Sequence, residues 1–129
     1  MSRCNEISVL NVCGGTIALT LTITTSSETF TCPSTEPIIV TFTVTNTGNL
    51  DVQGKIKVYS HQLGNIVVSQ GWLAAGASES AVLPYTITVC DCRLGQALIS
   101  GQARLVINKC QVLVSQCVGV ELTRIVLVP

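Results

Sequence analysis

The sequence predicts a single all-β domain, a sandwich of about eight to ten strands with an N-terminal extension. Three observations carry that expectation. Apolar and hydroxyl residues alternate with period two over most of the chain, and turn residues recur between the alternating runs. No segment shows the 3.6-residue apolar stripe of a helix. Hydrophobic residues make up 47% of a 129-residue chain, which suits one well-buried core rather than two domains.

Taken in order, residues 1–15 read as a flexible connector arm hinged at Gly14-Gly15, and residues 16–129 as the sandwich. Residues 16–24 place Ile17, Leu19, Leu21 and Ile23 on one face and Ala18, Thr20, Thr22 and Thr24 on the other. Residues 37–46 repeat the pattern, with Ile38, Val40, Phe42 and Val44 opposite Ile39, Thr41, Thr43 and Thr45. Alternating β-branched residues of this kind suit a sheet with one buried face. Asn46-Thr47-Gly48-Asn49 is a turn signal. Residues 52–60 resume as a strand with a bulge at Gly54, and a short strand spans 66–69. Residues 80–90 form a long strand in which Pro84 marks an edge position or a bulge. A turn over 91–95 leads to a strand over 96–108, then to strands at 111–116 and 118–128. The expected core contains Phe42, Val44, Trp72, Leu83, Tyr85, Ile87, Leu105 and Ile107. Strand number and spacing fit an immunoglobulin-like or jelly-roll-like sandwich.

Residues 37–108 resemble the CARDB-like adhesion-related modules repeated in bacterial and archaeal surface proteins. The resemblance rests on four pieces in order. They are the strand and turn Ile39-Val40-Thr41-Phe42-Thr43-Val44-Thr45-Asn46-Thr47-Gly48-Asn49, the corner Trp72-Leu73-Ala74-Ala75-Gly76-Ala77-Ser78, the strand Leu83-Pro84-Tyr85-Thr86-Ile87-Thr88, and the turn Asp91-Cys92-Arg93-Leu94-Gly95. The resemblance implies a seven-stranded sandwich acting as spacer, adhesin or assembly unit, with no shared catalytic residues. Trp72 and Tyr85 fall inside the pattern, which implies core positions for both.

Composition narrows the function. Lys+Arg and Asp+Glu both number 7, so no basic field exists to attract nucleic acid or an acidic membrane. No stretch approaches the apolar length of a membrane span, so no membrane insertion is expected. Charged residues are only 11%, so Thr, Ser, Gln, Asn or apolar residues must cover much of the exterior, a surface that either sits in an assembly or is prone to aggregate. Acid–base chemistry has little to draw on. His61 lies in a polar turn beside Gln62 and Gly64, where a solvated role is the expectation, and no signature flanks it for a Cys–His pair. Asp51, Asp91 and Glu79 lie near turns without an acidic loop motif for calcium. Cys90-Asp91-Cys92 with Cys110 and Cys117 departs from zinc-knuckle spacing. The chain is therefore expected to be no enzyme and to hold no metal or cofactor.

Seven cysteines favour an oxidising destination, outside the cell or on a cell or spore surface. The segment Met1-Ser2-Arg3-Cys4-Asn5-Glu6 lacks the features of a signal peptide. An odd count leaves at least one thiol free or bonded to another molecule. Cys4 and Cys13, in the arm, are the candidates for intermolecular bonds, the alternative being an arm that packs within its own chain; Cys32, Cys90, Cys92, Cys110 and Cys117 are the other disulfide candidates. Cys90 and Cys92, on one face of an extended strand, would bond different partners. This plan is similar in organisation to bacterial endospore appendage subunits, although their paired-cysteine connector is absent. The expected function is a self-assembling, disulfide-crosslinked surface fibre whose partner is another copy of the chain. The alternative is an adhesin or carbohydrate-binding module, for which Trp72, Tyr59 and Tyr85 are the aromatic candidates.

Overall fold

The structure, a computed structural model, describes residues 5–33, 36–108 and 111–125. The chain begins with β1 (Asn5–Ile7), β2 (Leu10–Val12), β3 (Gly15–Ile17), β4 (Leu19–Thr25), β5 (Thr29–Phe30) and β6 (Ile38–Asn46). It continues with β7 (Val52–Gln53), β8 (Ile56–Ser60), β9 (Gly64–Ser69), β10 (Trp72–Leu73) and β11 (Ser78–Tyr85). After α1 (Val89–Leu94) come β12 (Gln96–Asn108), β13 (Gln111–Val114) and β14 (Val118–Arg124).

The result is an all-β, sandwich-like fold. One layer is the antiparallel sheet β11-β6-β4. Its strands bury alternate residues, Leu19, Leu21 and Ile23 from β4 and Ile38, Val40, Phe42 and Val44 from β6. The other layer is built on β12, which pairs with β8, and β8 pairs with β9. Successive stretches of β12 also pair with β14 and β13, Gly101 opposite Val118 and Arg104 opposite Val114. β13 and β14 therefore act as one bent strand, interrupted at residues 115–117. Val58, Ile99, Leu105, Leu113 and Leu122 from this layer join Phe42 in one apolar core. Gly101 lets the two layers close, since a Cβ there would press on Val58 and the Phe42 ring.

The Asn-Thr-Gly-Asn turn does more than reverse the chain. Asn46 is fully buried, and its Nδ2 donates to the carbonyls of Leu50 (2.8 Å) and Leu73 (3.1 Å). Its Oδ1 accepts the Gly48 N–H at 3.1 Å. Gly48 lies against the backbone of Thr16, where any Cβ would overlap the Thr16 carbonyl oxygen. Asn49 Oδ1 accepts the Thr16 N–H at 2.7 Å. The turn thus clasps the chain at Thr16, in the middle of β3 and just before β4.

Four expectations need correction. The strand expected over 80–90 ends at Tyr85, and Val89 and Cys90 begin α1 instead. The reason is a capping box. Thr88 Oγ1 accepts the Asp91 N–H and Asp91 Oδ2 accepts the Thr88 N–H, while Gly95 closes the helix in the left-handed conformation. Trp72, expected in the core, is 52% exposed. Adjacent residues of a strand face opposite ways, and in β10 Leu73 takes the inward position. Leu83, Tyr85, Ile87 and Ile107 are only partly buried at the core margin. The strand expected over 52–60 divides into β7 and β8 at Gly54, whose φ of 123° breaks the ladder.

Residues 5–17, expected in a flexible arm and the start of a strand, lie on their own sandwich in this single chain. β1 runs parallel to β13, with Asn5 opposite Gln111 and Ile7 opposite Leu113. Ile7 and Leu10 pack at the core margin. β2 and β3 form a hairpin whose tip is Cys13-Gly14, both at positive φ.

Candidate functional site

Two sheet edges come together on one side of the molecule. Among the described residues β4 pairs only with β6, so its other edge is open to them. The bent strand β13–β14 is covered at its two ends by short parallel strands, β1 beside Gln111–Leu113 and β5 beside Thr123 and Arg124. Among the described residues no strand pairs with its outer edge between Ser115 and Leu122. A groove of about 350 Å³ lies where this gap meets β4. Leu19 and Leu21 line one wall, Val114, Gln116 and Val118 the other, and Ser8 one end. Backbone donors and acceptors of an unpaired edge are satisfied by an added extended strand, and the apolar walls would receive its side chains.

Edge-blocking residues are unevenly placed on the three-stranded sheet. Pro84 sits on the opposite margin of the three-stranded sheet, in edge strand β11, where its missing N–H costs no ladder bond. No proline or lysine occupies β4, the usual devices that block an edge. The outward residues of β4, Thr20, Thr22 and Thr24, are uncharged and exposed.

Cys32 and Cys92 are joined by a disulfide across 60 residues of sequence. It ties the segment after β5 to α1. Cys13, Cys90 and Cys117 are free and exposed. Cys13 is at the tip of the β2–β3 hairpin, Cys90 on the outside of α1, and Cys117 in the bend between β13 and β14, next to the groove wall. Cys4 and Cys110 lie outside the described residues. The expectation that Cys90 and Cys92 share a strand face is corrected by the helix; Cys92 is bonded to Cys32, and Cys90 is free.

His61 and Cys117 line one shallow hollow with Tyr59 and Gln102, yet no hydrogen bond joins them. His61 itself is exposed in the turn after β8. Asp91, expected in a turn, is buried and holds α1: its Oδ2 also accepts the Tyr85 phenol at 2.6 Å. Burial, followed by the hydrogen bond and charge of Asp91, pushes the Tyr85 phenol up to about 12. Asp51 accepts the Ala75 N–H at 2.9 Å, and Glu79 accepts from Ser69, so both serve local structure. Among the described residues no three His, Cys, Asp or Glu side chains gather to hold a metal ion. No helix among them is long and apolar enough to cross a membrane.

The sequence marked the free thiols as candidates but not the groove. The gap depends on two parallel pairings by strands of three and two residues, too short to show a period. Neither the protein-family models nor the curated proteins contain a match to this chain.

Proposed function

We propose that the chain is a structural subunit of a disulfide-crosslinked surface fibre, with an immunoglobulin-like sandwich as its body. The observation that carries this reading is the open groove between β4 and the bent strand, in a chain with three exposed free thiols among the described residues, of which Cys117 lies in the bend of that strand. A strand from a second copy enters the groove, continuing the line already begun by β1 and resumed by β5. Intermolecular disulfides involving Cys13, and Cys4 from the same terminal segment, then lock the contact. The low charge of the chain and the hydroxyl-rich outer face of β4 and β6 support close packing of copies without repulsion. A destination on a cell or spore surface follows from the need for an oxidising environment.

The test is assembly of the purified full-length chain under air, compared with a sample kept in reductant and alkylated with iodoacetamide. Negative-stain microscopy should show filaments, and a non-reducing gel a ladder that collapses to monomer with dithiothreitol. A monodisperse monomer at millimolar concentration under oxidising conditions would refute the reading.

A further inference from the structure

The charges of this neutral chain are not spread evenly over its faces. The outer face of β4, β6 and β11 carries Thr20, Thr22, Thr41, Thr43, Ser78 and Ser80 and no cation among these alternating positions. On the opposite side of the molecule, the outer face of β8 and β12 gathers Lys55, Lys57 and Arg104 around Tyr59. Alternation along β8 turns Lys57 and Tyr59 outward while Ile56 and Val58 enter the core. Lys57 stands opposite Arg104, and Tyr59 opposite Gln102, in the antiparallel register.

Two shallow hollows meet on this face. One, of about 230 Å³, is lined by Lys55, Lys57, Tyr59, Arg104 and Val106. The other, of about 280 Å³, shares Tyr59 and Arg104 and extends to His61 and Ser100. Together they form a track along β8 roughly 20 Å long, from residue 55 to residue 61 at the rise of an extended strand. Tyr59 is 40% exposed in the middle of it. Arg104 is held in place: its guanidinium lies 5.1 Å from the centre of the Tyr59 ring, donates to Gln102, and pairs with Glu6 at 3.1 Å. Lys55 and Lys57 face the track, and no carboxylate lines it beside them.

We propose that this face binds a linear sugar polymer bearing carboxylates. Lys55 and Lys57 project on one side about 7 Å apart, which suits charges repeated along an extended chain. The exposed part of Tyr59 offers an apolar surface to the C–H face of a sugar ring, and Ser100 Oγ, which donates to Gln62, and Gln102 Nε2, which gives one N–H to Ser115, each retain hydrogen-bonding capacity for a hydroxyl. A plain acidic peptide would use the cations but would have no need of the tyrosine. The site shares no lining residue with the groove.

The experiment is calorimetric titration of the full-length chain with oligogalacturonate, its methyl-esterified counterpart and polyglutamate. Oligogalacturonate should bind, and more weakly as salt rises from about 0.05 M to about 0.5 M. The esterified chain, with the same rings and no charge, should bind far more weakly. K55Q/K57Q should lower the affinity about tenfold, and Y59A several-fold, with circular dichroism unchanged. E6Q, which removes the carboxylate beside Arg104, should raise it roughly two- to threefold. Equal binding of the ester, absence of oligogalacturonate binding, or indifference to K55Q/K57Q would overturn the proposal. Polyglutamate binding as tightly, with Y59A unaffected, would overturn it in favour of an acidic protein segment.

Discussion

Cys92 on α1 is bonded to Cys32, which follows β5, so the disulfide closes a loop of 60 residues around β6 to β11. The same end of the molecule is also tied by Ile125, whose N–H donates to the Phe30 carbonyl at 2.8 Å, and by Arg124, which donates to the Cys92 carbonyl at 3.0 Å. The bond therefore reinforces a junction that the backbone already makes. Since the apolar core is continuous without it, reduction should loosen the protein rather than unfold it. The loop length corresponds to about 4 kcal/mol of unfolded-state restriction. We expect C32S/C92S to remain folded by circular dichroism, with its urea midpoint lowered by up to that amount. Complete loss of structure in the double variant would show that the core alone is insufficient.

Asn46 is a second point at which one side chain holds several segments. It donates to Leu50 and Leu73 and accepts from Gly48, with its own side chain fully buried. Asn46→Ala would strand two carbonyls and one N–H, and we expect a loss of about 2–4 kcal/mol in urea unfolding. Asn46→Asp should cost at least as much, because a carboxylate cannot donate to either carbonyl. Gly48→Ala should destabilise through backbone overlap with Thr16, and should also raise the proteolytic sensitivity of the β2–β3 hairpin that this contact anchors. Equal midpoints for Asn46→Ala and the parent would mean that water replaces the side chain without cost.

The Tyr85–Asp91 hydrogen bond predicts an alkaline effect of definite sign. The Tyr85 pKa is raised from 10.0 to about 12 in the folded chain, by burial first and by Asp91 second. A raised acid is protonated in the folded state where the unfolded chain has already lost its proton. Its stabilising contribution is complete below pH 10 and is lost as pH rises towards 12. The stability difference between the parent and Tyr85→Phe should therefore shrink across that interval. In parallel, the phenolate absorbance of the folded parent should include a step near pH 12 that Tyr85→Phe lacks. A difference that grows with pH would reverse the assignment.

The fold was largely legible because burial follows the alternation closely. Leu19, Leu21 and Ile23, and Ile38, Val40, Phe42 and Val44, all face the core as their spacing requires. Pro84 was legible as an edge marker, and the Asn-Thr-Gly-Asn turn as a reversal. The helix was not, although Thr88 and Asp91 stand three apart as a capping box. Six residues are too few to display a helical period, and the adjoining strand offered a competing one. Trp72 misled because a family pattern favoured burial, whereas a two-residue strand admits only one inward side chain and Leu73 takes it. The candidate groove was hidden for another reason. Its walls come from β4 and from the bend at residues 115–117, nearly 100 residues away, and no local pattern specifies that approach.

The terminal segment gives the sharpest test of assembly. In the single chain β1 occupies the edge of β13 through three residue pairs, and Glu6 pairs with Arg104 between half-exposed side chains. Such a contact is weakly held, since an exposed ion pair contributes about 1 kcal/mol or less. The clasp at Thr16, by contrast, fixes the chain firmly where the hairpin joins β4. Residues 5–12 are thus placed to exchange between copies, with the Cys13-Gly14 tip as the pivot, while the sandwich from Thr16 onward stays intact. Deletion of residues 1–12 should give a folded protein, because the buried core residues all lie beyond the deletion. It should be monomeric by light scattering and form no filaments. Cys13→Ser combined with Cys4→Ser should still assemble through strand pairing, yet its filaments should dissolve in detergent without reductant. If the deleted chain polymerises as well as the parent, the donor strand is not β1–β2, and β14 at the C-terminal end becomes the segment to exchange.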